Sequence, residues 1–328
     1  MQRRRFLLAS LGALAVPLVA EGQHATFPAL VGFLPLGSSS NAYDRSLVDA
    51  FRLGLREAGV VENRDIVLEV AWTSSATEAA QAVTQFVQRG ARLLIPVGTS
   101  ASLLAKRQAS ATPILFISVG NPLGIKLVDS LSRPGGNVTG FGDVLADLSG
   151  KYVQFAKEIG KPQAAVSYMW YTEWADGQYR FQATERAAHS LGVTLQSRGI
   201  GDLTEANDVM AALKKSGAAV VVIQPSPFTY LQRDRLIDVA MSHGLATIFA
   251  FPPAATSGAL LAYGPDYADL YRRAAAYVDR IVLKAVKPGD LPIEQPTKFE
   301  LVVNVKTAKA LGISLPPSLL LLADRVID

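Results

Sequence analysis

SRPGGNVTG, Ser132 to Gly140, breaks a chain that is otherwise built of regular apolar periods. Proline lacks a backbone donor and glycine lacks conformational restraint, so Pro134-Gly135-Gly136 would end any helix or central strand. Val138 and Thr139 then reopen an extended run. So firm a stop reads either as a plain surface turn or as a hinge at which the chain leaves one lobe for another.

Upstream, short β-rich runs alternate with amphipathic helices. LVGFL (Leu30–Leu34) reads as a buried strand, followed by the polar loop PLGSSSN. Leu47, Ala50, Phe51, Gly54, Leu55 and Ala58 recur at helical spacing, and Gly59 supplies a left-handed cap. IVLEVAW, RLLIPVG and PILFISVG read as strands, TEAAQAVTQFVQRG and TSASLLAKRQA as helices, and KLVDSLSR as the helix that Pro-Gly-Gly ends. This alternation implies right-handed crossovers and a parallel sheet covered on both faces.

Downstream the grammar starts over. AAVSYMW is a strand, YTEWADG a polar loop and GQYRFQATERAAHSLG a helix closed by Gly192, before the strands AAVVVIQP and LATIFAFP. The order repeats at an offset of roughly 130 residues. The expected fold is therefore α/β, with two Rossmann-like lobes in tandem, each on a parallel sheet. On this reading NVTGFGDV carries the chain across, and GALLAYG (Gly258–Gly264) is a strand returning to the first lobe. YRRAAAYVDRIVLKAVK is one long helix, and KFELVVN is an extended run of the second lobe. The expected division is residues 28–141 for lobe 1, with 260–290 returning to it, and 142–259 for lobe 2, with 291–328 returning to it.

At 328 residues the chain exceeds the size of a single growing core, which agrees with two lobes. Its 49% apolar and 18% charged composition excludes a disordered protein. There is no cysteine, so disulfides, thiolate metal sites, cysteine nucleophiles and a lipid-modified cysteine are excluded. His24, His189 and His243 show no metal-ligand spacing, and neither a metal nor a cofactor is expected. Arg3, Arg4 and Arg5 against Glu21 supply half of the +4 net charge, which leaves too little to argue for nucleic acid. Those arginines precede an apolar run, Phe6–Ala20, shorter than the ~20 residues of a spanning helix. With the small-x-small site Ala20-Glu21-Gly22 they spell a cleavable export signal over residues 1–22. Arg3-Arg4-x-Phe6-Leu7 also resembles the twin-arginine motif, and the expected destination is the periplasm.

In open α/β sheets ligands sit beyond the carboxyl ends of the strands, so the strand-to-helix loops of two facing lobes line one cleft. Lobe 1 offers Ser38 and Ser39, then Gly98, Thr99 and Ser100, then Gly120 and Asn121. Gly98-Thr99-Ser100 opens a helix, where free N–H groups and hydroxyls suit a carboxylate or serve as an ordinary N-cap. Lobe 2 offers Tyr171 and Trp174, Gln224 and Pro225, and Phe251, an aromatic set suited to stacking on a ligand or covering a cation.

GFL near the start, REAGVVENRDIVLEVAW, SLSRPGGNVTG and, above all, KPGDLPIEQPTKFELVVNVKTAKALGISLPPSLLLLADRVID resemble the ABC-transporter substrate-binding proteins that bind tryptophan, phenylalanine and related solutes. The resemblance covers the mature chain. It implies a type I periplasmic binding protein with a three-strand hinge, a small-molecule ligand held between the lobes, an inner-membrane ABC permease as partner, and a monomer with no enzymatic activity. Members commonly carry Gly-Asp-Pro where this chain has Gly120-Asn121-Pro122, and an Asn-Pro-Asn-like loop where it has Tyr171-Thr172-Glu173-Trp174. An amine-free aromatic or branched carboxylate therefore rivals an α-amino acid, unless Glu173 or Asp176 supplies the missing charge. A ligand-sensing subunit of a signalling receptor is the alternative partner reading. A secreted hydrolase is disfavoured, because Gly98-Thr99-Ser100-Ala101-Ser102 lacks the final glycine of a nucleophile elbow.

Overall fold

A computed structural model describes residues 28–160, 165–174 and 176–328, so the expected export signal lies outside the described residues. The first sheet is built from β1 (Ala29–Leu34), β2 (Ile66–Val70), β3 (Leu93–Pro96), β4 (Ile114–Val119) and β5 (Val138–Gly142). Its order is β2-β1-β3-β4-β5, parallel throughout. Helices α1 (Ala42–Glu57), α2 (Ala76–Gln88) and α3 (Thr99–Gln108) make the crossovers. Asn41 caps α1 by accepting from the Tyr43 and Asp44 amides, and the stripe Leu47, Val48, Phe51 and Leu55 is buried against the sheet.

The second sheet holds β6 (Val166–Tyr171), β7 (Leu195–Ile200), β8 (Val220–Ile223), β9 (Ala246–Phe249), β10 (Leu261–Pro265), β11 (Phe299–Asn304) and β12 (Arg325–Ile327). Its order is β12-β11-β10-β9-β8-β6-β7, with β11 antiparallel to β10. Around it lie α4 (Ser149–Ile159), α5 (Gly177–Ser190), α6 (Ala206–Lys215), α7 (Pro227–Leu231), α8 (Arg233–Ser242) and α9 (Pro253–Thr256). The two-lobed α/β architecture expected from the repeat is present.

Four local expectations are corrected. KLVDSLSR is a chain of turns, because the Lys126 and Leu127 carbonyls accept from the Lys106 ammonium, at 2.8 and 2.9 Å, and Lys126 takes a positive φ of 56°. NVTGFGDV does not carry the chain across over its length: Val138–Gly142 within it is the edge strand β5 of the first sheet, and the crossing begins only at its end, over Asp143–Leu148. Gly135 donates to the Gly289 carbonyl at 3.2 Å, and a Cβ on Gly289 would stand 2.6 Å from the Gly135 carbonyl carbon. Close backbone packing is thus why position 289 needs glycine, whereas Gly135 and Gly136 are needed for their left-handed φ of 75° and 59°. GALLAYG does not return to lobe 1, since β10 lies between β9 and β11 of the second sheet. The return is made by α10 (Tyr267–Ala274), which packs on α1 so closely that a Cβ on Gly54 would collide with the Arg272 carbonyl. Finally, the long helix is broken: α10 gives way to α11 (Ala276–Val278) and a π turn, Asp279–Leu283.

Three segments link the lobes: the loop after β5, the junction of β10 with α10, and Glu294–Lys298 before β11. They are hydrogen-bonded side by side, Glu294 to Gly140 and Gly142 at 3.1 and 2.8 Å, and Asp266 to Lys298 at 3.0 Å. Among the described residues no helix is long and apolar enough to cross a membrane.

Candidate functional site

The carboxyl ends of both sheets face one cleft, and a narrow cavity, partly open to solvent, lies within it. From lobe 1 come Val97, Gly98 and Thr99 after β3, Ser118 in β4, and Asp143 and Leu145 after β5. Gly98 has φ 84° and its side-chain-free cap leaves the start of α3 open, while Ser102 turns back to donate to the Gly98 carbonyl at 2.7 Å. Ser118 takes a φ of 57°, where β4 slips register against β5. A bulge with a left-handed serine re-aims the backbone at the cavity edge.

Lobe 2 contributes an ion cluster. Arg180, on the first turn of α5 and 3% exposed, donates through Nε to Asp176 at 2.8 Å and through Nη2 to both Asp143 oxygens at 3.1 Å. Its guanidinium lies 5.0 Å from the Trp174 ring centre. Burial works against the charge on Arg180, but the Asp143 and Asp176 carboxylates outweigh it and raise its pKa. Burial pushes the Asp176 carboxyl up, against the pull of Arg180. Arg180 Nη1, Asp176 Oδ1, Trp174 Nε1 and the Tyr152 and Tyr267 hydroxyls are buried without hydrogen-bond partners.

The remaining walls are aromatic and aliphatic. Tyr267 faces Phe251 at 6.1 Å between ring centres, and Phe251 meets Tyr230 edge-on at 5.1 Å. Tyr43, Leu47 and Tyr271 close the lobe-1 side. The Tyr230 hydroxyl donates across the cleft to Asp44 of α1. Burial first, and then the Asp44 carboxylate, push the Tyr230 hydroxyl far above the ordinary phenol range.

Of the residues expected from sequence, Gly98, Thr99, Trp174, Pro225 and Phe251 line this cavity. Ser100 and Tyr171 line an adjoining, wider vestibule, where Tyr171 stacks on Phe228 at 4.4 Å. Gly120 and Asn121 border a separate depression beside Asp143. Gly120 lies against Arg180, and Asn121 accepts from the Gly124 amide at 3.1 Å as a turn cap. The missing charge at position 121 therefore carries no weight about a ligand amine. Ser38 and Ser39 stay in the exposed loop before α1, with the Ser38 amide donating to Asp44 at 2.8 Å. Gln224 is a buried strut, accepting from the Tyr171 amide and donating to the Gly177 carbonyl.

Sequence reasoning missed Asp143, Arg180, Tyr43, Tyr267 and Tyr271 as cavity residues. Asp143 stands in NVTGFGDV, which reads as connection, and Tyr271 in YRRAAAYVDRIVLKAVK, which reads as one long helix. The signal for Arg180 was available, since Asp176 and Arg180 stand four apart at a helix start, directly after the aromatic loop.

A family model described as ABC transporter substrate binding protein matches residues 40–327. A tyrosine-binding protein of Clostridioides difficile (strain R20291) is 23% identical over 265 residues, covering 80% of this chain and 75% of that protein. An ABC domain of Streptococcus pneumonia in complex with L-Trp has 20% identity and a TM-score of 0.82, covering 92% of this chain and all of that one. A ligand-free, open substrate binding protein with adhesive properties from Clostridium difficile has 21% identity and a TM-score of 0.65, covering 91% and 99%.

Proposed function

The chain belongs to the ABC transporter substrate-binding protein family, and from that premise we propose that it closes around one aromatic α-amino acid and presents it to a membrane permease. One observation carries the ligand class: buried polar atoms without partners beside an aromatic cavity. Buried donors and acceptors are nearly always paired, so these atoms mark places for a ligand's own polar groups. Arg180 Nη1, Trp174 Nε1 and the open start of α3 suit a carboxylate. Asp143 and Asp176 outnumber the single guanidinium between them, which favours an ammonium at that end. Tyr43, Leu47, Leu145 and Phe251 suit the ring. The relatives named for tyrosine and L-Trp support this class.

Hinge closure does the work. The ligand bridges both lobes and favours the closed state by its differential affinity. The contact from lobe to lobe, Tyr230 with Asp44, supports a closed arrangement here, as does the higher TM-score to the L-Trp complex than to the open relative. In this reading the protein binds its ligand without transforming it, which the family description as a substrate binding protein supports. It works as a monomer in the periplasm, with residues 1–22 as the export signal and an inner-membrane ABC permease as partner.

The test is thermal unfolding with aromatic amino acids, aliphatic amino acids and deaminated aromatic acids. Binding confined to the folded state adds about 2.7 kcal/mol at a hundredfold excess over Kd. Stabilisation by L-tryptophan or L-tyrosine is expected. Stabilisation by deaminated acids alone would overturn the reading.

A further inference from the structure

Tyr267, Phe251 and Tyr230 form one wall of the cavity in two ring-to-ring steps of 6.1 and 5.1 Å. Tyr267 stands beside Asp143 and Arg180, whereas Tyr230 stands beside Asp44, Tyr43 and Tyr271. The wall therefore runs from the charged end of the cavity to a phenolic end.

The phenolic end is fixed, with the Asp44 carboxylate at the Tyr230 hydroxyl and the Arg233 guanidinium over its ring. Asp44 is 4% exposed and has no cation within ion-pair distance among the described residues. Its two oxygens accept from the Tyr230 hydroxyl and the Ser38 amide. Tyr230 cannot turn freely: Arg233 lies over its ring at 4.8 Å and also donates to its carbonyl at 2.8 Å, while Phe251 meets the ring edge-on. A phenol has one proton, and here it is committed to Asp44. Toward the cavity the Tyr230 oxygen can only accept, and the carboxylate behind it strengthens that acceptor.

We propose that Tyr230, positioned by Asp44, is a specificity-determining residue that selects aromatic side chains ending in a hydrogen-bond donor, a phenol O–H or an indole N–H, over hydrocarbon rings. This rests on the aromatic amino-acid reading above. A phenyl ring would fill the same space and leave the acceptor unmet.

Isothermal titration of L-tyrosine, L-tryptophan and L-phenylalanine into the wild type, Tyr230→Phe and Asp44→Asn tests it. The wild type is expected to bind at least one donor-bearing ligand about tenfold or more tighter than L-phenylalanine. In Tyr230→Phe that ratio falls below about threefold, and in Asp44→Asn it falls in the same direction. Equal wild-type affinities, or a ratio unchanged by Tyr230→Phe, would overturn the inference. So would an equal loss for all three ligands, which would assign the pair to lobe closure alone. Failure of all three to bind the wild type would instead sink the amino-acid reading itself.

Discussion

Gly120 is where lobe 1 presses on the ion cluster, because a methyl group there would collide with the Arg180 guanidinium and stand 3.0 Å from Asp176. Arg180 cannot step aside without leaving two carboxylates. Gly120→Ala is expected to cost about 1–3 kcal/mol and to weaken ligand binding, as read by urea denaturation and titration. Removing the cation is harsher. Arg180→Met strands Asp143 and Asp176 in a buried site and is expected to cost about 3–5 kcal/mol at pH 7. The pH dependence has a definite sign. A buried carboxyl whose folded pKa lies above its unfolded value binds a proton more readily when folded, so stability rises as pH falls through that range. Burial already raises Asp176 in the presence of Arg180, and without the arginine the shift grows. The Arg180→Met deficit should therefore shrink at pH 5, and a deficit that grew at pH 5 would contradict this account.

The elements themselves were legible where period decides. The strands β1, β3, β4 and β8 stand as continuous apolar runs, because sheets covered on both faces need no alternation. Their addresses were not legible. LLAYG carries no mark of which sheet it joins, and only the short return through α9 fixes β10 beside β9. The cleft loops were found from the strand ends alone, whereas Asp143 and Arg180 meet across the hinge and no local spacing announces the pair. The α1–α10 contact offers a test at this scale. Gly54→Ala would drive a methyl group into the Arg272 carbonyl, and backbone cannot retreat as a side chain can. A loss of about 3 kcal/mol is expected, and a neutral result would mean the two helices are not in contact. Asp269, on α10, ties that helix to the hinge by accepting from Lys298 at 2.8 Å, and also accepts from Arg272 of its own helix at 3.2 Å. Burial would raise its pKa, but these hydrogen bonds outweigh it and leave it lowered. Its contribution is present above the unfolded pKa and is lost as pH falls through the folded one. With exposed partners it is worth no more than about 1 kcal/mol, so the cost of Asp269→Asn at pH 7 should shrink as pH falls below the ordinary aspartate range.

At the scale of the whole molecule, two lobes hinged by three segments enclose a cavity with a charged end and a phenolic end. Closure implies that ligand lowers the radius of gyration seen by small-angle scattering, most clearly in Tyr230→Phe, which lacks one contact across the cleft. The central claim is that the charged end receives the head of an amino acid. Titration of the wild type with L-tryptophan and with its deaminated counterpart, indole-3-propionate, tests it most directly. One-to-one binding of L-tryptophan, with the deaminated acid weaker by about a hundredfold or more, is the predicted result, as expected when a buried carboxylate loses the ligand charge it faces. Equal affinity for the two would show that Asp143, Asp176 and Arg180 do not read the amine, and would contradict the account.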